Sequence, residues 1–300
     1  MAKKILYIVR PGDSISAIAQ KFGSTIQAIL SANVICDPNR IFVETPLIIP
    51  EEGVDVPKAG GKPYYVVQPG DTLECLASQF NITTEHLIKT NQLFNQALIM
   101  PGTELLILLE QPEPNQLYQL WNRMGGAATC DLMNPLLIHG VYYIGSFYWE
   151  SLSDVAIPYL SQLIKHPCDP VRQYAAISLG RIATAKAHDV LNVAIHDRDP
   201  HVSEMARLAL LRTQIVQQYR SKRYHVTTND HLILDTPESS SATTKVPKGT
   251  ALITLRWNIP SPTQEEGPIG DIQLFDYVQI VQSGKIGFMP RVGHNAIWMI

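Results

Sequence analysis

The chain has 300 residues, about two ordinary domains' worth, with 45% hydrophobic and 17% charged residues, the latter below the roughly 25% usual for soluble domains. It can bury real cores and is not a disordered polymer. With 24 basic and 27 acidic residues the net charge is −3, too small to draw nucleic acid or an anionic membrane by itself, so no nucleic-acid partner is expected. Cys36, Cys75, Cys130 and Cys168 show no CxxC spacing and no histidine cluster beside them. This argues against a zinc module or disulfide scaffold, and the four are read as reduced thiols.

Met1–Arg10 places two lysines ahead of five apolar residues, and Arg10-Pro11-Gly12-Asp13 ends that run. A secretory leader needs an apolar stretch of about 7–15 residues and a small-residue cleavage site. None is expected, and the chain is expected to be made in the cytoplasm. The best membrane candidate, Leu136–Trp149, is 14 residues long and carries His139. A spanning helix needs about 20 residues, so no membrane span is expected.

The N-terminal third is a tandem repeat. Displaced by 58 positions, Tyr7–Ile15 lies over Tyr65–Leu73, and the match continues without a gap through Ala19/Ala77, Phe22/Phe80, Thr25/Thr83, Asn33/Asn91 and Leu47/Leu105. In the second copy Tyr65-Val66-Val67 predicts a short strand and Pro69-Gly70-Asp71 a turn. Thr72 or Asp71 can cap a helix burying Leu73, Leu76, Ala77 and Phe80. Thr83 or Thr84, with Glu85 near the positive helix end, starts a second helix running to Asn91. Pro101-Gly102 then turns into a closing strand at Leu105–Ile107, giving the order β-α-α-β.

That order, with V-x-PGD-[ST]-[IL] opening and PG-T-x-L closing, closely resembles the LysM family. The resemblance implies binding of N-acetylglucosamine-containing glycans, chiefly peptidoglycan and chitin, in a shallow groove between the loop after the first strand and the loop before the last. Carried over, the groove of the first copy would use Gly12, Asp13, Ser14 and Ile15 with Ile41, Phe42 and Val43. The second would use Gly70, Asp71, Thr72 and Leu73 with Ile99, Met100 and Pro101. Asp13 and Asp71 are expected to cap helices as well. Val43-Glu44 stands where the second copy has Pro101-Gly102, and this altered turn is expected to weaken glycan binding by the first copy. A short linker over 51–63, Val54–Pro57 followed by Lys58–Lys62, would tether the two grooves and multiply weak affinities through effective concentration.

After a second linker at 110–116, three capped helices are expected to begin at Asn134-Pro135, Asp169-Pro170 and Asp199-Pro200, 35 and 30 residues apart. The first two reach glycine at the same distance, Gly145 and Gly180. Partner helices are expected at Leu117–Met124, Ala156–Lys165 and Val190–His196. Residues 117–220 resemble HEAT-type α-solenoid repeats with a D-P-x-V-R signature, which implies a protein partner on the concave face. Arg172 is expected to be structural, bonding neighbouring carbonyls or carboxylates. Tyr142, Tyr143, Phe147, Tyr148 and Trp149 are expected in a core or interface.

From Tyr224 strands and turns take over: Ala251–Leu255, a polar loop at Asn258–Gly267, Tyr277–Val281, a turn at Ser283–Lys285 and Ile286–Met289. Residues 224–300 resemble a bacterial Src-homology-3-like barrel, with Tyr277 where that family usually has Trp. The expected class is thus multidomain α+β: LysM modules at 5–50 and 64–109, a short α-solenoid at 117–220 and a small β barrel at 224–300.

Catalysis would need a Cys/His pair, a metal cluster or two carboxylates in a cleft. Cys130 and His139 fit no such spacing, His294 and the other histidines lack HExxH company, and Glu265-Glu266 reads as a solvated pair. The expectation is a non-catalytic, cofactor-free adaptor that docks on peptidoglycan or chitin-like polymers, holds a protein partner, and suits deposition on a spore or cell-wall surface. The alternatives are a cytosolic scaffold with non-binding LysM folds, or a cell-wall hydrolase with an unrecognised site.

Overall fold

A computed structural model describes residues 4–51, 53, 58–93, 99–108, 110–267, 272–291 and 299–300. Val54–Pro57 of the expected linker and His294 lie outside the described residues. The first repeat folds as β1 (Lys4–Ile8), α1 (Ile15–Phe22), α2 (Ile26–Ala32) and β2 (Pro46–Pro50), with β1 and β2 antiparallel from Lys4 opposite Pro50 to Ile8 opposite Pro46. The second repeats it with β3 (Tyr64–Val66), α3 (Leu73–Phe80), α4 (Thr84–Asn91) and β4 (Glu104–Leu106). Ser14, Thr25, Thr72 and Thr83 cap the four helices, each side-chain oxygen accepting a first-turn backbone N–H.

The matched asparagines do the same work in both copies. Asn33 Nδ2 donates to Ile29 O and Ile48 O, both at 2.8 Å, and its Oδ1 accepts from Ile48 N. Asn91 Nδ2 donates to Leu87 O and Leu106 O, and its Oδ1 accepts from Leu106 N at 2.7 Å. Each side chain ties the end of the second helix to the closing strand, satisfying backbone groups that a short two-stranded sheet leaves open.

The helical region is α5 (Pro114–Asn122), α6 (Pro135–Leu137), α7 (Ile144–Leu152), α8 (Ile157–Leu163), α9 (Asp169–Ile182), α10 (Ala185–Ala194) and α11 (Pro200–Tyr219). The expected helix at Asn134 is interrupted: Ile138–Tyr143 forms a widened i→i+5 segment between α6 and α7. Asp199 caps α11, accepting from His201 N and Val202 N. Asp169 does not cap α9. It is the first helical residue after Cys168, and its carboxylate instead accepts from Arg172 Nη2 at 2.7 Å. Arg172 is buried, also donating to both Asp197 oxygens and to the carbonyls of His166 and Pro167. The aromatic run packs inward, with Tyr142 and Trp149 edge-on to Trp121. A Cβ on Gly180 would stand 2.7 Å from that of Ala209, so glycine there lets α9 and α11 approach closely.

The C-terminal strands are β5 (Tyr224–Val226), β6 (His231–Leu234), β7 (Thr243–Val246), β8 (Ala251–Pro260), β9 (Leu274–Ile280) and β10 (Ile286–Pro290). They form an antiparallel six-stranded sheet in the order β5-β8-β9-β10-β6-β7. The likeness to a Src-homology-3-like barrel extends as far as this sheet. β8 continues to Pro260, into the segment expected as loop, its pairing with β9 shifting register between Thr254 and Arg256 and again between Arg256 and Ile259.

The four modules are not separate beads. One hydrophobic core joins Tyr64, Val66 and Leu106 of the second repeat to the helices and to Trp257, Val278 and Met289 of the sheet. A second cluster joins Ile48 and Ala59 to Ile259, Phe275 and Phe288. The described end of the linker pairs with the first repeat: Val34 N donates to Ala59 O and Ala59 N to Ala32 O, both at 2.8 Å. The reading of the cysteines as reduced thiols is corrected. Cys36 is bonded to Cys75, across the two repeats, and Cys130 to Cys168, with Cα separations of 5.8 and 5.7 Å. The partners lie far apart in sequence, and only tertiary packing brings them together.

Candidate functional site

Asp13 and Asp71 do not cap helices. Asp13 Oδ2 accepts from Tyr7 Oη at 2.8 Å and Arg10 N at 2.7 Å. Asp71 Oδ2 accepts from Tyr65 Oη and Gln68 N, both at 2.7 Å. Each aspartate therefore clamps the turn that Gly12 or Gly70 makes at φ +86° or +87°, a conformation suited to glycine. The later turn is also the same in both copies. Glu44 adopts φ 68° where Gly102 has 81°. Glu44 N donates to Val9 O as Gly102 N does to Val67 O, both at 2.8 Å. The expectation of an altered turn is thus corrected: the glutamate is forced into the glycine conformation.

Surroundings separate the two aspartates. Asp13 is held below the ordinary 3.8, first by the Arg10 N–H and then by Tyr7. Burial pushes Asp71 above 3.8, against the pull of Tyr65, Gln68 and Arg256. Asp13 thus adds stability that is present above pH 3.8 and lost as pH falls through its lowered pKa. The Asp71 contribution has the opposite sign, present below pH 3.8 and lost as pH rises through its raised pKa. Carboxyl carbon shifts followed by NMR should show Asp71 titrating at higher pH than Asp13. The reverse order would contradict this account.

The expected groove residues meet chiefly across the two repeats. A small cavity of ≈30 Å³ brings Ile41 and Phe42 to Asp71, beside Pro69 and Arg256. A larger cleft of ≈270 Å³ brings Phe42 and Val43 to Pro101, with Gln68, Arg223, Arg256 and Tyr277. Gly12, Asp13, Ser14 and Ile15 line neither. Ser14 and Thr72 cap α1 and α3, while Ile15 and Leu73 are buried in their module cores. Ile99 packs against the second module's core, Met100 is 61% exposed, and Gly70 faces Arg40. The sequence held no signal for Arg223 and Arg256, which reach the cleft only because the sheet packs on the repeats.

A buried polar cluster lies behind the second repeat. Glu104 Oε1 is 3.0 Å from His225 Nε2, and Trp257 Nε1 donates to Glu104 Oε2 at 2.8 Å. Tyr64 Oη donates to Glu150 Oε2 at 2.6 Å. Glu104 borders a cleft of ≈380 Å³ lined also by Pro101, Gly102, Arg220, Ser221 and Lys222. A carboxylate beside an imidazole is an acid–base pair in composition, which the sequence reading missed. Glu104 stands where the first repeat has Pro46, and a charge at an inward strand position was the available signal. Among the described residues no group of three or more His, Cys, Asp or Glu could hold a metal ion, and no helix is long and apolar enough to cross a membrane.

The LysM domain family matches residues 7–50 and 65–108, and the HEAT repeat family matches residues 157–219. The N-terminal region therefore holds two LysM domains. Relatives include N-acetylmuramoyl-L-alanine amidase sle1 of Staphylococcus aureus USA300, 32% identical over 113 residues covering 34% of this chain and 33% of that protein. The sle1 protein of strain MRSA252 is 31% identical over 107 residues, covering 34% and 32%. The chain thus spans about a third of the length of the curated relatives it matches. The expectation of a non-enzyme is overturned by relatives named as amidases. The spore cortex-lytic enzyme SleL of Bacillus megaterium QM B1551 overlays with a TM-score of 0.18 at 12% identity, covering 98% of this chain and 90% of that one. An overlap that low carries no argument.

Proposed function

We propose that this chain binds N-acetylglucosamine-containing cell-wall glycan through its LysM pair and acts in peptidoglycan hydrolysis at a cell-wall or spore surface. The observation that carries the binding half is the convergence of Phe42, Val43 and Pro101 on one cleft. Turns that present backbone N–H and C=O groups suit acetamido groups, and apolar side chains beside them suit the methyl. The hydrolytic half is supported by the amidase names of the relatives and by Glu104, which borders a cleft and lies at hydrogen-bond distance from the buried His225.

Full-length protein incubated with insoluble peptidoglycan should sediment with it, and in a gel cast with peptidoglycan it should leave a cleared band. Glu104→Gln keeps two hydrogen-bonding atoms and should lose the cleared band while still sedimenting. Protein left in the supernatant would sink the binding half. Sedimentation without clearing would sink the hydrolytic half alone.

A further inference from the structure

We propose that the inter-repeat cleft holds a carboxylate subsite, with Arg256 and Arg223 as its cations, for the lactyl carboxylate of an N-acetylmuramic acid residue. The inference rests on the glycan-binding reading and names the sugar that reading leaves open. Arg256 is only 6% exposed. Its Nη2 reaches Ala59 O at 3.3 Å, and its Nε has no partner among the described residues. A Cβ on Gly60 would lie 2.7 Å from the guanidinium, so glycine, at φ +100°, lets the guanidinium lie against the backbone. Arg256 lines the cleft while its Nε is buried behind it, so its positive charge stands at the cleft wall with few hydrogen bonds to balance it.

Arg223 lines the same cleft from the sheet side. Its Nε donates to Thr254 O at 2.9 Å, and its Nη1 stands 3.1 Å from the place of a Cβ on Gly102, beside the second LysM loop. Glu44 is the carboxylate lining the cleft, and it is exposed. Asp71, on the neighbouring cavity that Arg256 also lines, hydrogen-bonds Tyr65 and Gln68 and balances part of the Arg256 charge, so Arg223 is the cation with less compensation. A neutral polymer such as chitin offers Arg223 no carboxylate. The cleft, at ≈270 Å³, has room for a lactyl group, which adds five heavy atoms beyond the ether oxygen on C3 of the sugar.

A free lactyl carboxylate arises when the amide bond between muramic acid and its stem peptide is hydrolysed. Water adds across the C–N bond, the acyl carbon keeps the oxygen as a carboxylate, and the amine leaves with a proton. Amide hydrolysis is therefore the class of reaction that supplies this ligand.

The test is calorimetric titration of the full chain at low salt with four probes. They are the tetrasaccharide (GlcNAc-MurNAc)2 with free lactyl carboxylates, the same sugar with lactyl methylamides, the same sugar bearing stem peptides, and chitotetraose. The free carboxylate form should bind at least about tenfold tighter than the methylamide, with the ratio shrinking at high salt. Arg223→Gln, its fold checked by circular dichroism, should bring that ratio towards one. Equal binding of carboxylate and methylamide, with chitotetraose also bound, would overturn the subsite and leave the glycan reading standing. Tightest binding of the peptide-bearing form would overturn the lactyl assignment. Binding of none would overturn both.

Discussion

Replacing Arg212 by methionine is expected to cost about 3–5 kcal/mol of stability by leaving buried carbonyls unpaired, a fall in melting temperature on the order of 10 °C. The side chain is fully buried. Nη1 donates to the carbonyls of Gly180 and Arg181 at 2.7 and 3.0 Å, while Nε and Nη2 donate to Tyr224 O and Lys222 O, both at 3.0 Å. One guanidinium thus satisfies carbonyls at the end of α9 and in the segment leading into β5, joining helices to sheet. Methionine fills similar space but leaves four carbonyls without this donor. Lysine should recover only part of the loss, because a single ammonium cannot span both directions. Thermal melts of the three proteins read this directly, and a methionine variant within 1 kcal/mol of the parent would refute the role.

Glu104→Ala should cost a similar amount, about 3–5 kcal/mol. It strips partners from His225 and from the Trp257 indole N–H at once. Tyr64 packs between them, its ring 5.0 Å from that of Trp257 and 5.8 Å from that of His225. The damage should therefore spread to the contact between the second LysM domain and the sheet. Denaturant titration should show a lower midpoint, and limited proteolysis should show faster cleavage near residues 58–63. Glu104→Gln should lie closer to the parent. An alanine variant as stable as the parent would show that the buried cluster is not holding these layers together.

Much of the fold was legible because it is local. The turn signals narrowed the caps to Thr72 or Asp71 and Thr83 or Thr84, of which Thr72 and Thr83 do the capping, and spacings of three and four placed Leu73, Leu76, Ala77 and Phe80 on one buried face. Asp199-Pro200 announced α11 for the same reason. Some failures are local competitions for one side chain, and others are long-range. Asp169 looked identical to Asp199, but the buried Arg172 claims its carboxylate and takes it off the helix end. Two disulfides and the burial of Ala59 against the sheet depend on packing that no window of sequence encodes. At the candidate site, the sequence located the LysM turns but assigned them to two separate grooves. The cleft instead draws on both copies and on Arg223 and Arg256, more than 120 residues further along the chain.

The bond between Cys36 and Cys75, together with the backbone pairing of Val34 with Ala59, fixes the two LysM domains at one separation and one relative angle. A flexible pair would have to be ordered by whatever binds it. In this rigid pair Phe42, Val43 and Pro101 already line one cleft, so on the proposed glycan-binding reading a strand meets a template of fixed curvature and little entropy is lost on binding.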